Sequence, residues 1–168
     1  MLHKANVAGL TMDPTSNTPI VILKTESDDQ AIPIWIGLLE ATSIASVLQD
    51  IKFERPMTHD LFKSFSEHLN IRVSKVEVCD LRDNTFFALI HFDGDAHSFT
   101  MDARPSDAIA IALRFEAPIY VDEKVISKSK RGEGDAEDVE VHDQSEEGKK
   151  WAEYLENLSP EDFGKYKV

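Results

Sequence analysis

Two short segments set an arginine-proline pair beside a helix start that carries an aspartate: Arg55-Pro56-Met57-Thr58-His59-Asp60 and Asp102-Ala103-Arg104-Pro105-Ser106-Asp107. Proline with its fixed φ suits a first helical turn, and Thr58 and Ser106 are of the types that cap free backbone N–H groups. A helix N-terminus carries partial positive charge, so an arginine beside it strengthens an anion site while an aspartate can hold a metal. This is the outline of phosphate chemistry. Asp102 at a strand end and Asp107 at a helix start can converge on one divalent ion, Mg²⁺ or Mn²⁺, with Glu40 as a further carboxylate ligand. Arg55 and Arg104 can clamp a phosphate bidentately, or each can pair with a neighbouring aspartate and hold a loop. His59 beside Asp60 is the candidate general base.

The elements that must position these groups follow from hydrophobic period. Ile20–Leu23 is a continuous apolar run and Ile32, Ile34 and Ile36 alternate, so two strands are expected early in the chain. Ala41, Ile44, Ala45 and Leu48 fall at helical spacing and predict a first helix over 38–50. Thr58 is expected to cap a second helix whose inner stripe is Leu61, Phe62, Phe65 and Leu69, with Met57 stapled onto Phe62. Three strand-like segments, 71–81, 85–93 and 96–102, are separated by short turns and predict a meander. A third helix over 105–116, apolar on nearly every side, must be buried, and residues 118–121 supply one more strand. The expected class is α+β, a mixed or antiparallel sheet packed with three main helices plus a helical C-terminal tail. Residues 1–127 form the domain, 128–150 an acidic charged linker and 151–168 the tail, where Trp151, Tyr154, Leu155 and Leu158 share a helical face.

Composition narrows the function classes. At 168 residues and 42% hydrophobic content the chain fills one core and is too short for two ordinary domains. Thirty-one acidic against eighteen basic side chains argue against a protein that coats nucleic acid through a basic face. The single Cys79 rules out an internal disulfide and reads as a buried, inert thiol. No stretch approaches a membrane span and no signal-peptide core follows Met1, so a cytoplasmic protein without membrane contact is expected. Glycine-rich phosphate loops, a nucleophile elbow and a His-Glu-x-x-His pair are all absent from the sequence.

Three ordered motifs, Pro33-Ile34-Trp35-Ile36-Gly37 with Glu40-Ala41 following, Arg55 to Asp60, and Asp102 to Ala110, resemble the bifunctional nuclease domain family. The resemblance covers residues 2–127, and Ser159 to Lys167 looks like the tail of bacterial members. It implies an α+β domain that forms homo-oligomers, at least a dimer, and acts as a nuclease on RNA and DNA. Carried over position by position, it marks Gly37, Glu40, Arg55, Thr58, His59, Asp60, Asp102, Arg104, Ser106 and Asp107. Asp50 departs from the pattern, which would place a glycine or another small residue there. Two functions follow as expectations. In the first, a metal-dependent phosphodiesterase uses Asp102, Asp107 and Glu40 as ligands and His59, Asp60, Arg55 and Arg104 as catalytic groups. In the second, a non-catalytic homo-oligomeric binding or regulatory module uses the Arg-Pro segments only to lock the fold.

Overall fold

The computed structural model describes residues 1–95 and 97–132. Eleven elements run in the order β1 (Leu2–Met12), β2 (Pro19–Thr25), β3 (Ala31–Trp35), α1 (Leu38–Leu48), α2 (Thr58–His68), β4 (Ile71–Arg82), β5 (Thr85–Gly94), β6 (Ser98–Ala103), α3 (Pro105–Phe115), β7 (Ile119–Asp122) and α4 (Glu123–Gly132). The expected tail over 151–168 and most of the charged segment lie outside the described residues.

All seven strands join one mixed sheet in the order β3-β2-β1-β7-β4-β5-β6. Every pairing is antiparallel except β4 with β7, which run parallel. The meander β4-β5-β6 forms as its turn residues predict: Asp83 and Asn84 have φ of 47° and 58°, the left-handed pair that a two-residue hairpin needs. β7 slots between β1 and β4 and so closes the two antiparallel halves into one sheet.

The core lies between this sheet and the helices. Val21, Leu23, Ile32 and Ile34 from one half, and Val76, Val78, Ala88 and Ile90 from the other, meet Ile44 of α1 and Ile109 of α3. α3 is the central helix, with Ala108 through Ala112 all buried, and it packs on α1, α2, β4 and β5. At 25 cal/mol per Å², each of these valine, leucine and isoleucine side chains contributes about 1.5–3 kcal/mol by burial. Among the described residues no helix is long and apolar enough to cross a membrane.

Several local readings change. Thr58 and Ser106 are not caps: the N-cap residues are Met57 and Arg104, and the first helical turns begin one residue after each. The cap at Met57 is served from inside the helix, where the Asp60 carboxylate accepts the Met57 N–H at 3.0 Å. The expected inner stripe of α2 is mostly outer. Phe62 packs on the core, edge-on to Phe92, whereas Leu61, Phe65 and Leu69 are 59%, 62% and 52% exposed. Lys128 is not the start of a linker but part of α4, and its ammonium donates to Asp80 Oδ1 at 2.9 Å and to the Leu81 carbonyl at 2.8 Å, pinning the helix to β4. Asp50, where the family pattern favours a small residue, sits at φ 52°, the conformation glycine adopts at least cost. Cys79 is half-buried rather than buried, its Sγ 3.5 Å from the Phe87 carbonyl, and burial pushes the thiol up so that it stays protonated.

Candidate active site

Arg104 and Asp107 lie one turn apart at the start of α3, because Pro105 fixes the first helical position and leaves Arg104 extended as N-cap. That spacing lets the guanidinium grip the Asp107 carboxylate with two bonds, Nε to Oδ2 at 2.8 Å and Nη2 to Oδ1 at 3.2 Å. Nη1 reaches Glu40 Oε1 at 2.8 Å, in the first turn of α1. A guanidinium carries five N–H groups. Three are engaged here and two have no partner among the described residues, on a side chain that is 65% exposed.

The sequence places His59 in the first turn of α2, and the fold brings it between α1 and α3. Its Nε2 is 3.3 Å from Asp107 Oδ1 and its Nδ1 is 2.9 Å from Ser43 Oγ. Burial pushes the Asp107 carboxyl up, but hydrogen bonds from Arg104 and His59, with the charge of Arg104, outweigh it and hold the group below the usual carboxylate range. The ionised carboxylate assigns the imidazole proton to Nε2. Nδ1 is then the acceptor of the Ser43 O–H, the relation in which a hydroxyl is activated by a histidine that a carboxylate orients. Ser43, His59, Arg104 and Asp107 line one cavity of about 320 Å³ together with Glu40 and Thr58, its walls completed by Leu39, Phe53 and Met57.

The other sequence-marked groups do not join this cluster. Asp60 Oδ1 accepts from Nε of the buried Arg114 at 2.6 Å while its Oδ2 caps Met57, so both oxygens of this carboxylate are engaged in holding the fold. Arg114 also donates to the carbonyls of Ser43 and Ala110 and so holds α1, α2 and α3 together. Arg55 is exposed on the loop before α2, with no ion pair to a described residue and no place in this cavity. Asp102 pairs with Leu89 in β6, is exposed and lies outside the cavity lining. Sequence reasoning passed over Ser43 and Arg114. Ser43 carries no local signal, whereas an arginine inside the apolar run of α3 signals a buried partner.

The donor set does not fit the expected metal. Of the three carboxylates, Asp102 is elsewhere, and Asp107 and Glu40 share a cation already, so a divalent ion would have to displace Arg104 from both. Among the described residues no group of three or more His, Cys, Asp or Glu side chains is placed to hold a metal ion.

Gly37, the N-cap of α1, has an ordinary extended conformation, so its role is one of space. A Cβ there would collide with the Glu40 carboxylate folded over it. Gly37→Ala is expected to change stability by less than about 1 kcal/mol, because alanine accepts this backbone, while driving Glu40 off Arg104. The Arg104–Glu40 separation in a crystal structure of the variant, beside its urea midpoint, checks both halves.

The bifunctional nuclease domain family matches residues 21–133 of the chain. A protein of Mycobacterium tuberculosis named as uncharacterized is 36% identical over 164 residues, covering 96% of this chain and 98% of its own length. Bifunctional nuclease 1 of Arabidopsis thaliana is 30% identical over 108 residues, 61% of this chain and 33% of the plant protein. Bifunctional nuclease 1 of Oryza sativa subsp. indica is 22% identical over 116 residues, 67% of this chain and 35% of the plant protein.

Proposed function

The chain belongs to the bifunctional nuclease domain family, and from that premise we propose that it hydrolyses phosphodiester bonds of RNA and DNA at the Ser43–His59–Asp107–Arg104 cluster. The observation that carries this reading is the Ser43 hydroxyl 2.9 Å from an imidazole whose other nitrogen faces an ionised carboxylate. Beside it stands an arginine with two spare donors.

In this reading Ser43 Oγ attacks phosphorus and its proton passes to His59 Nδ1. Asp107 stabilises the imidazolium that forms. The two free N–H groups of Arg104 receive the non-bridging oxygens as their charge grows. The ester oxygen that leaves takes the proton back from His59. Water, deprotonated by the same nitrogen, then cleaves the phosphoseryl diester and restores the serine. The overall negative charge is compatible with this because only one local cation has to meet the phosphate.

The test is cleavage of labelled single-stranded RNA and DNA by wild type and Ser43→Ala, each with Mg²⁺, Mn²⁺ or EDTA. Cleavage that survives EDTA and is lost in the variant is the expected result. Cleavage abolished by EDTA in wild type would return the metal expectation, with Asp107 and Glu40 released from Arg104 to bind it.

The exposed row Leu61, Phe65 and Leu69, continued by Met57 at 39% exposure, supports a homo-oligomer, at least a dimer, joined through α2. These residues fall four apart and so form one apolar strip. Phe65→Asp is expected to convert the assembly to monomer by light scattering; an unchanged mass would place the contact elsewhere.

A further inference from the structure

Arg104 lines two cavities. Besides the one that holds Ser43 and His59, it borders a second of about 350 Å³ on the other side of the α3 start, walled by Trp35 of β3, Phe86 of β5, Thr18, Asn84 and Pro105. We propose that this second cavity is a nucleobase subsite for single-stranded nucleic acid, with Trp35 as the stacking platform for the base whose phosphate lies on Arg104. The inference rests on the nuclease reading for its occupant.

Three features carry it. The Trp35 side chain is half-exposed, a large ring that the core does not need: Ile34 and Ile36 on either side of it are buried. Its ring is nevertheless fixed, because the indole N–H donates to Asp13 Oδ2 at 3.0 Å. Asp13 in turn accepts from Ser16 Oγ at 2.7 Å and from the Thr15 N–H at 2.9 Å, so the turn after β1 acts as a bracket for the ring. These bonds hold the Asp13 carboxyl down to about 2, and it remains an acceptor at any working pH. A ring held in one orientation loses little entropy on stacking. The guanidinium shared between the cavities sets phosphate on one side and an aromatic wall on the other, the pairing used to bind single strands without sequence readout. Thr18 and Asn84 are among the polar residues of its lining that can meet base edges.

The experiment uses the full chain carrying Trp151→Phe, so that Trp35 is its one tryptophan. It also carries His59→Ala, to prevent turnover, and is titrated with short oligouridylate and oligodeoxythymidylate. Saturable quenching of Trp35 emission is expected. In the same background Trp35→Leu is expected to weaken binding, read by anisotropy of a labelled oligonucleotide, about tenfold or more, and Trp35→Phe to restore most of it. With His59 intact, Trp35→Leu should raise KM far more than it lowers kcat. Quenching by oligonucleotide in the Trp151→Phe protein, when that protein with His59 intact cleaves nothing, would keep the subsite and sink the hydrolytic reading. Saturable binding by anisotropy with Trp35 emission unmoved, or Trp35→Leu binding as tightly as its parent, would overturn the subsite and leave the hydrolytic reading standing.

Discussion

Asp60→Ala is expected to cost about 3–5 kcal/mol of stability, because it leaves the Arg114 charge buried and unpaired. The Arg114 side chain is 5% exposed and that of Asp60 34%. This asymmetry predicts unequal costs for the two halves of the pair. Without Asp60 the guanidinium still has the Ser43 and Ala110 carbonyls, but no counter-charge. Without Arg114 the aspartate can turn to solvent and keep its bond to the Met57 N–H, so Arg114→Met should cost about 1–3 kcal/mol, mainly in lost bonds between helices. Asp60→Asn separates the charge from the cap, since the amide oxygen can still accept from Met57. Urea midpoints of the singles and of the double Asp60→Ala, Arg114→Met measure the coupling, and the double should cost less than the two singles summed. Equal costs for Asp60→Ala and Arg114→Met would show that Arg114 is solvated in a way the geometry denies. With total stabilities of about 5–15 kcal/mol for such domains, the alanine variant stands near the threshold of folding at all.

The same pair shows where the sequence was legible. Strong periods were read correctly: the runs of β2 and β3, the stripe Ala41-Ile44-Ala45 of α1, the meander with its Asp83-Asn84 turn, and an α3 too apolar to lie on a surface. β1 escaped because only Ala5 and Met12 of its eleven residues are buried and a register shift between Val7 and Gly9 breaks what alternation it has. α4 escaped because Val125 and Ile126 alone reach the core, and the rest of its sequence reads as solvated charge. At the site, Arg104, Asp107 and Glu40 were marked, and the Arg104–Asp107 contact follows from helical spacing alone. Asp60 and Asp102 were marked as well, but the partner of Asp60 lies fifty-four residues away in sequence and Asp102 lies outside the cavity that holds Asp107. Ser43 was legible only as a polar face of α1; that it meets His59 is a property of how α1 and α2 both pack on α3, which no local pattern encodes.

His59→Ala is expected to reduce kcat for oligonucleotide cleavage by about 10²–10⁴-fold with little change in the urea midpoint, since the imidazole makes two hydrogen bonds at a cavity wall and is not part of the core. Ser43→Ala should fall as far, and the double variant hardly further, because a nucleophile and the base that activates it act as one unit. Asp107→Asn tests the proton assignment. An amide that kept its oxygen on Arg104 would turn its NH₂ toward His59 Nε2 and move the imidazole proton to Nδ1, where it can no longer accept from Ser43; the same tautomer error in serine proteases costs about 10⁴-fold. Acid should also destabilise the fold through this carboxylate, read as the urea midpoint against pH. Because the Asp107 pKa is depressed by Arg104 and His59, its contribution is present above the usual carboxylate range and is lost only as pH falls through the lowered value. Its acid limb therefore lies below that of an ordinary aspartate. A Ser43→Ala enzyme with wild-type kcat would remove serine as nucleophile and leave His59 acting on water. Full activity in His59→Ala would take the chemistry out of this cavity altogether.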